Sequence, residues 1–81
     1  MIEWTSAAES DLKRLDRQLV RRIRRALYRL DEASHGDVRR VKGTEDELRL
    51  RVGSVRVRFR FIEPESDILV LRVLPRDKVY R

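Results

Sequence analysis

The chemistry available to this chain of 81 residues rests on arginine. Lys13, Lys42 and Lys78 are the only lysines among its 20 basic residues. Arg49 and Arg51, then Arg56, Arg58 and Arg60, recur at every second position between apolar residues, and Arg72 interrupts an apolar run. In an extended strand, alternate side chains share a face, so this spacing predicts a sheet face covered in guanidiniums. Like charges set across neighbouring strands repel, and a surface that collects them suits an anion. The guanidinium fork meets phosphate with two parallel hydrogen bonds. A formal net charge of +6 and a pI near 10.7 point the same way, towards nucleic acid, an anionic membrane or an acidic protein.

Other chemistries have little material. His35 is the single histidine and stands in a Ser-His-Gly-Asp loop, where a polar loop residue is its ordinary reading. There is no cysteine, which removes disulfides and thiolate zinc sites. No metal-ligand spacing and no phosphate-cradling glycine loop occurs, and no carboxylate pair is expected on the basic face. Neither metal nor cofactor is expected. Any catalysis must then work by electrostatic stabilisation through arginine, with at most one titratable group beside it. The opening Met-Ile-Glu-Trp does not read as a signal peptide. The unbroken aliphatic run Ile68–Leu71 is too short to cross a bilayer. No membrane association is expected, and the cytoplasm is the expected location.

The elements that position these residues follow from periodicity. Ile2–Trp4 reads as a short strand. Ser6 with Glu9 three residues on forms a capping box, and Ala8, Leu12 and Leu15 continue at helical spacing. Asp16 is the expected N-cap of a second helix running to about Ala33. Its apolar stripe is Leu19, Val20, Ile23, Ala26, Leu27 and Leu30, and arginines cover the remaining faces. That arginine stripe is read first as a solvated face and second as a contact for RNA or a partner. The loop Ser34–Asp37 and a short segment, Val38–Lys42, lead to Gly43, and after it the period changes to two. Leu48–Val52 and Val55–Phe61 form strands joined at Gly53-Ser54, with Phe59 and Phe61 expected under the second helix. Ile68–Leu74 is expected as a third strand covered on both faces, ending at Pro75. The expected fold is a single α+β domain over residues 1–81. It has one N-terminal strand, a two-helix hairpin and a three-strand antiparallel meander, with the helices packed on one sheet face.

Three stretches carry a family resemblance. Leu48 to Phe59 (LRLRVGSVRVRF), Val70 to Tyr80 (VLRVLPRDKVY) and the upstream Val41-Lys42-Gly43 resemble the RelE/ParE toxin superfamily of type II toxin–antitoxin systems. The order of elements matches end to end. The resemblance to the RelE branch implies a metal-independent, ribosome-dependent endoribonuclease. In such enzymes a ribose 2′-hydroxyl attacks the adjacent phosphate of mRNA, leaving a 2′,3′-cyclic phosphate and a 5′-hydroxyl. By position, Arg56 and Arg76 resemble the arginines that hold the scissile phosphate, and Tyr80 the C-terminal tyrosine that stacks on or orients the base. Arg49, Arg51, Arg58, Arg60 and Arg72 are the expected RNA-binding set. Arg49 and Arg51 stand where well-known nuclease members carry lysines. Pro75 replaces a common histidine and Val55 a common tyrosine, and these departures leave the general base unassigned. The implied partners are a cognate antitoxin, the ribosome and mRNA, with DNA reached only through the antitoxin complex. The ParE branch implies the alternative, a toxin that poisons DNA gyrase without nuclease chemistry.

Overall fold

The computed structural model describes residues 1–75. Strand β1 (Ile2–Trp4) leads into helices α1 (Ser6–Lys13) and α2 (Arg17–Ala33). Strands β2 (Val38–Arg40), β3 (Leu48–Val52), β4 (Val55–Ile62) and β5 (Asp67–Pro75) follow. They form one five-stranded sheet in the order β1-β5-β4-β3-β2. The strands β2 to β5 run antiparallel to their neighbours, and β1 lies parallel to β5. The α+β architecture expected from periodicity is present, enlarged by β2, whose three residues pair with Leu48–Leu50.

The helices take their places for local reasons. Thr5, rather than Ser6, caps α1: its hydroxyl accepts the Ala8 amide at 3.1 Å and donates to the Leu71 carbonyl at 2.8 Å. One side chain thus satisfies a helix end and ties it to β5. Asp16 is the N-cap of α2, as expected, but makes no side-chain capping bond. Ile23 and Leu27 are fully enclosed and Leu30 nearly so. They meet Leu50, Val57, Phe59, Ile68, Val70 and Val73 in a single core on one sheet face. The helix ends where Ser34 takes a left-handed conformation, φ 51°.

Two expectations about the sheet need correction. Phe61 is 43% exposed whereas Phe59 is fully buried. Both follow the same alternation, and their rings meet edge to face at 5.5 Å. Phe61 nevertheless lies in the outer part of β4, one step beyond the buried core. Strand β5 is also not covered on both faces. Arg58 pairs with Arg72 and Phe59 with Val70, so Leu71 is an extra residue on β5. This bulge shifts the alternation by one. Val70 and Val73 both reach the core, and Leu69, Leu71 and Leu74 stay partly exposed outside it. An almost continuous apolar stretch here encodes a bulged strand with one buried face.

Candidate functional site: the arginine face of the sheet

Strand register brings the arginines together. Arg49 stands opposite Arg58, Arg51 opposite Arg56, and Arg58 in turn opposite Arg72. Directly paired residues point to the same side of a sheet, so five arginines from three strands share the face that the helices leave uncovered. Arg60 lies on the same side, opposite Leu69. At the end of this ladder the Gly53-Ser54 turn joins β3 to β4, with Gly53 at φ 58°, a left-handed value that favours glycine. The turn also holds Arg56. Its Nη1 donates to the carbonyls of Gly53 and Val55, each at 3.0 Å. Pro75 pairs with Val55 and Leu74 with Arg56, so the chain leaves β5 beside Arg56. Arg76 and Tyr80 lie outside the described residues.

The face is not a pure guanidinium surface. The loop before β3 sends two carboxylates onto it: Glu47 binds the Arg58 Nη2, and Asp46 lies 3.6 Å from Arg60. Arg58 is mostly enclosed, and its Nε has no hydrogen-bond partner among the described residues. At the other side Asp11 of α1 grips Arg72 through both oxygens, at 2.8 Å to Nε and 3.0 Å to Nη2. The same carboxylate accepts the Val73 amide at 2.9 Å. Strand β1 reaches only to the level of Val70, so Asp11 takes over as acceptor where β5 has lost its neighbour. Burial alone would raise the Asp11 pKa. The hydrogen bonds from Arg72 and Val73, with the charges of Arg72 and Arg14, outweigh that and hold it below the ordinary carboxylate value. The Arg72 guanidinium is correspondingly raised, first by its hydrogen bond to Asp11.

Of the expected RNA-binding arginines, Arg49 stands opposite Arg58 in the middle of the face, and Arg58, Arg60 and Arg72 are each paired to an acid. Arg51 turns to the sheet edge. There it lines a pocket with Arg22, Arg25 and Arg29 of α2, beside Gly53. The sequence reads those helix arginines first as a solvated stripe and second as a contact for RNA or a partner. Their spacing of three and four residues was the available signal that they share one helix face, but only the tertiary fold sets Arg51 against them. No group of three or more His, Cys, Asp or Glu residues able to hold a metal occurs among the described residues. No helix among them is long and apolar enough to cross a membrane.

Comparison with solved structures places the fold. The RelB-RelE antitoxin–toxin complex from Methanococcus jannaschii contains a chain matching at TM-score 0.76 with 22% identity, over 96% of this chain and 94% of that one. The intact E. coli RelBE toxin–antitoxin complex matches at TM-score 0.75 with 14% identity, over 93% and 94%. A YoeB/ParE toxin from Agrobacterium tumefaciens matches at TM-score 0.76 with 17% identity, over 91% and 95%. A search of curated protein sequences gives no match. The model of the ParE toxin of type II toxin–antitoxin systems, parDE, matches residues 2–80. With that match across nearly all its length and the RelE-like fold beneath it, the chain belongs to the ParE toxin family, within the RelE/ParE superfamily of type II toxins.

Proposed function

We propose that this toxin is a ribosome-dependent endoribonuclease that stops translation by cutting mRNA. The reading is carried by the cross-strand ladder of Arg49, Arg51, Arg56 and Arg58 on the helix-free face. A protein with no evident base or metal cluster in that ladder would act by holding phosphate charge. In the proposed reaction the 2′-oxygen bonds to phosphorus and the 5′-oxygen leaves. A proton departs from the 2′-hydroxyl and another reaches the 5′-oxygen. Charge grows on the non-bridging oxygens, and a preorganised guanidinium stabilises it there. Arg56 is suited to that role because two backbone carbonyls fix its guanidinium. Arginine keeps its proton at neutral pH, so Arg56 stabilises charge and does not act as the base. Arg76 is proposed as the second phosphate ligand, and Tyr80 as the residue that stacks on or orients the base. Arg49, Arg51, Arg58, Arg60 and Arg72 would follow the RNA backbone.

The proposed partner in the resting cell is a cytoplasmic antitoxin, as in the RelB-RelE complexes of similar fold. Any contact with DNA would come through that complex. One specific observation favours a second reading: the matching family model is that of ParE, which supports a gyrase-poisoning toxin on the same fold. Mapping mRNA 5′ ends after brief expression separates the two. Discrete cuts inside reading frames are expected for the nuclease. Arg56→Ala and Arg76→Ala should each lower single-turnover cleavage by about a hundredfold or more, the scale of losing one transition-state donor. Intact mRNA with broken chromosomal DNA would overturn the nuclease reading in favour of gyrase poisoning.

A further inference from the structure

Behind the Gly53 turn, on the flank of α2, lies a second concentration of positive charge. Arg22, Arg25 and Arg29 fall within about 60° of one another on the helix at 100° per residue. With Arg51 from β3 they line an open pocket of about 290 Å³, floored by Ala26, Val52 and Gly53. No acidic side chain lines it among the described residues. The contrast with the sheet face is direct, because there Asp46, Glu47 and Asp11 answer Arg60, Arg58 and Arg72. All four pocket arginines are exposed, so their forks can turn inward without loss of a buried partner. A liquid water occupies about 30 Å³, and the volume therefore admits a phosphate group with waters around it.

The Gly53 turn links the two basic regions. On one side its carbonyl holds the Arg56 guanidinium at 3.0 Å. On the other, the Arg22 guanidinium lies so close that a Cβ on Gly53 would meet it at 3.0 Å. A strand of nucleic acid leaving Arg56 therefore meets the helix cluster after crossing a single two-residue turn.

We propose that Arg22, Arg25, Arg29 and Arg51 form a docking site for a backbone phosphate of RNA, distinct from the arginines that face the scissile bond. The proposal rests on the reading of this toxin as an RNA-binding protein and adds where the RNA is held beyond the cut. An acidic protein segment is the competing occupant. Phosphate is favoured because four arginines line one small pocket, and a planar guanidinium fork can give two parallel hydrogen bonds to a phosphate.

The test is binding of a 20-nucleotide 2′-O-methyl RNA, which lacks the attacking hydroxyl and stays intact. Arg25→Gln/Arg29→Gln, confirmed as folded by circular dichroism, should bind at least tenfold more weakly than the parent at about 0.1 M salt. The slope of log affinity against log salt should fall by about 0.7, the counterion release of one phosphate on a single strand. Lys13→Gln/Arg17→Gln carries the same change in net charge away from the pocket, and should weaken binding less than threefold. An unchanged affinity and slope in the pocket variant would overturn the site, as would an equal loss in the charge-matched control. So would a variant that binds RNA normally but loses affinity for a poly-glutamate peptide. Failure of the nuclease reading shows separately, as parent protein that binds the 2′-O-methyl RNA but leaves mRNA uncut. Should the parent not bind this RNA at all, the docking site is wrong as well.

Discussion

Replacing Asp11 by alanine tests how the arginine face is joined to the helices. Three hydrogen bonds end on this carboxylate, and its side chain is only 8% exposed. The two from Arg72 are the cheaper to lose, because that guanidinium is 44% exposed and can turn to water. The Val73 amide is buried at the unpaired edge of β5 and loses its acceptor, which costs about 1–3 kcal/mol. Asp11→Ala should therefore destabilise the domain by about 2–3 kcal/mol in urea unfolding. At roughly 4–8 °C per kcal/mol for a domain of this size, the melting temperature should fall by about 10–20 °C. Arg72→Ala leaves the Val73 bond in place and should cost less. The pH dependence has a definite sign. A carboxyl whose folded pKa is lowered contributes stability that is present above its unfolded value and disappears as pH falls through the folded one. The parent should weaken from the ordinary carboxylate value downward, and Asp11→Asn should flatten that part of the curve. A loss below about 0.5 kcal/mol for Asp11→Ala, or a greater loss for Arg72→Ala, would refute Asp11 as the edge acceptor of β5.

Glu47→Gln releases the guanidinium of Arg58 and should raise affinity for the 2′-O-methyl RNA several-fold at low salt, at a stability cost of about 1 kcal/mol or less; weaker RNA binding in a folded variant would show that Glu47 positions Arg58 for RNA. Phe59→Ala should cost about 3–5 kcal/mol and Phe61→Ala clearly less, since only Phe59 is fully enclosed; equal losses in urea unfolding would place Phe61 in the core after all. Gly53→Ala should cost about 1–2 kcal/mol from its left-handed backbone, and the loss should persist in an Arg22→Ala background. If removing Arg22 restores stability, the contact with its guanidinium sets the cost instead.

Periodicity revealed most of this architecture because most elements bury one face. The stripe from Leu19 to Leu30 marks α2, and the alternation from Val55 to Phe59 separates core from arginines without ambiguity. Strand β2 was harder to see. Its three residues, Val38–Arg40, are too few to establish a period of two, and only pairing with β3 defines them. The bulge at Leu71 was hidden because every residue around it except Arg72 is apolar, so a shift of one leaves no polar residue out of place. The site divides in the same way. The shared face of Arg49, Arg51, Arg56 and Arg58 follows from alternation within two strands and one short turn. The acids that answer these arginines do not follow. Asp11 meets Arg72 across 61 positions and Glu47 meets Arg58 across 11, distances that no local pattern encodes.

Those acids decide how the positive charge is divided. An arginine that links two elements gains from being held and has fewer donors for a ligand. Arg72 is of this kind, since the carboxylate that holds it also completes the edge of β5. Arg60 differs: its partner Asp46 is itself largely exposed, and such pairs are weak and open readily. Arg58 lies between them, enclosed and paired, with an Nε that has no hydrogen-bond partner among the described residues. A polyanion arriving at the sheet would compete easily with Asp46, less easily with Glu47 and least with Asp11. The arginine ladder is therefore graded from a firmly anchored side at α1 to a more accessible side at the loop before β3. Arg56 is anchored in another way: the backbone carbonyls of Gly53 and Val55 hold its guanidinium in place, and a preorganised donor is what the stabilisation of a developing phosphate charge requires.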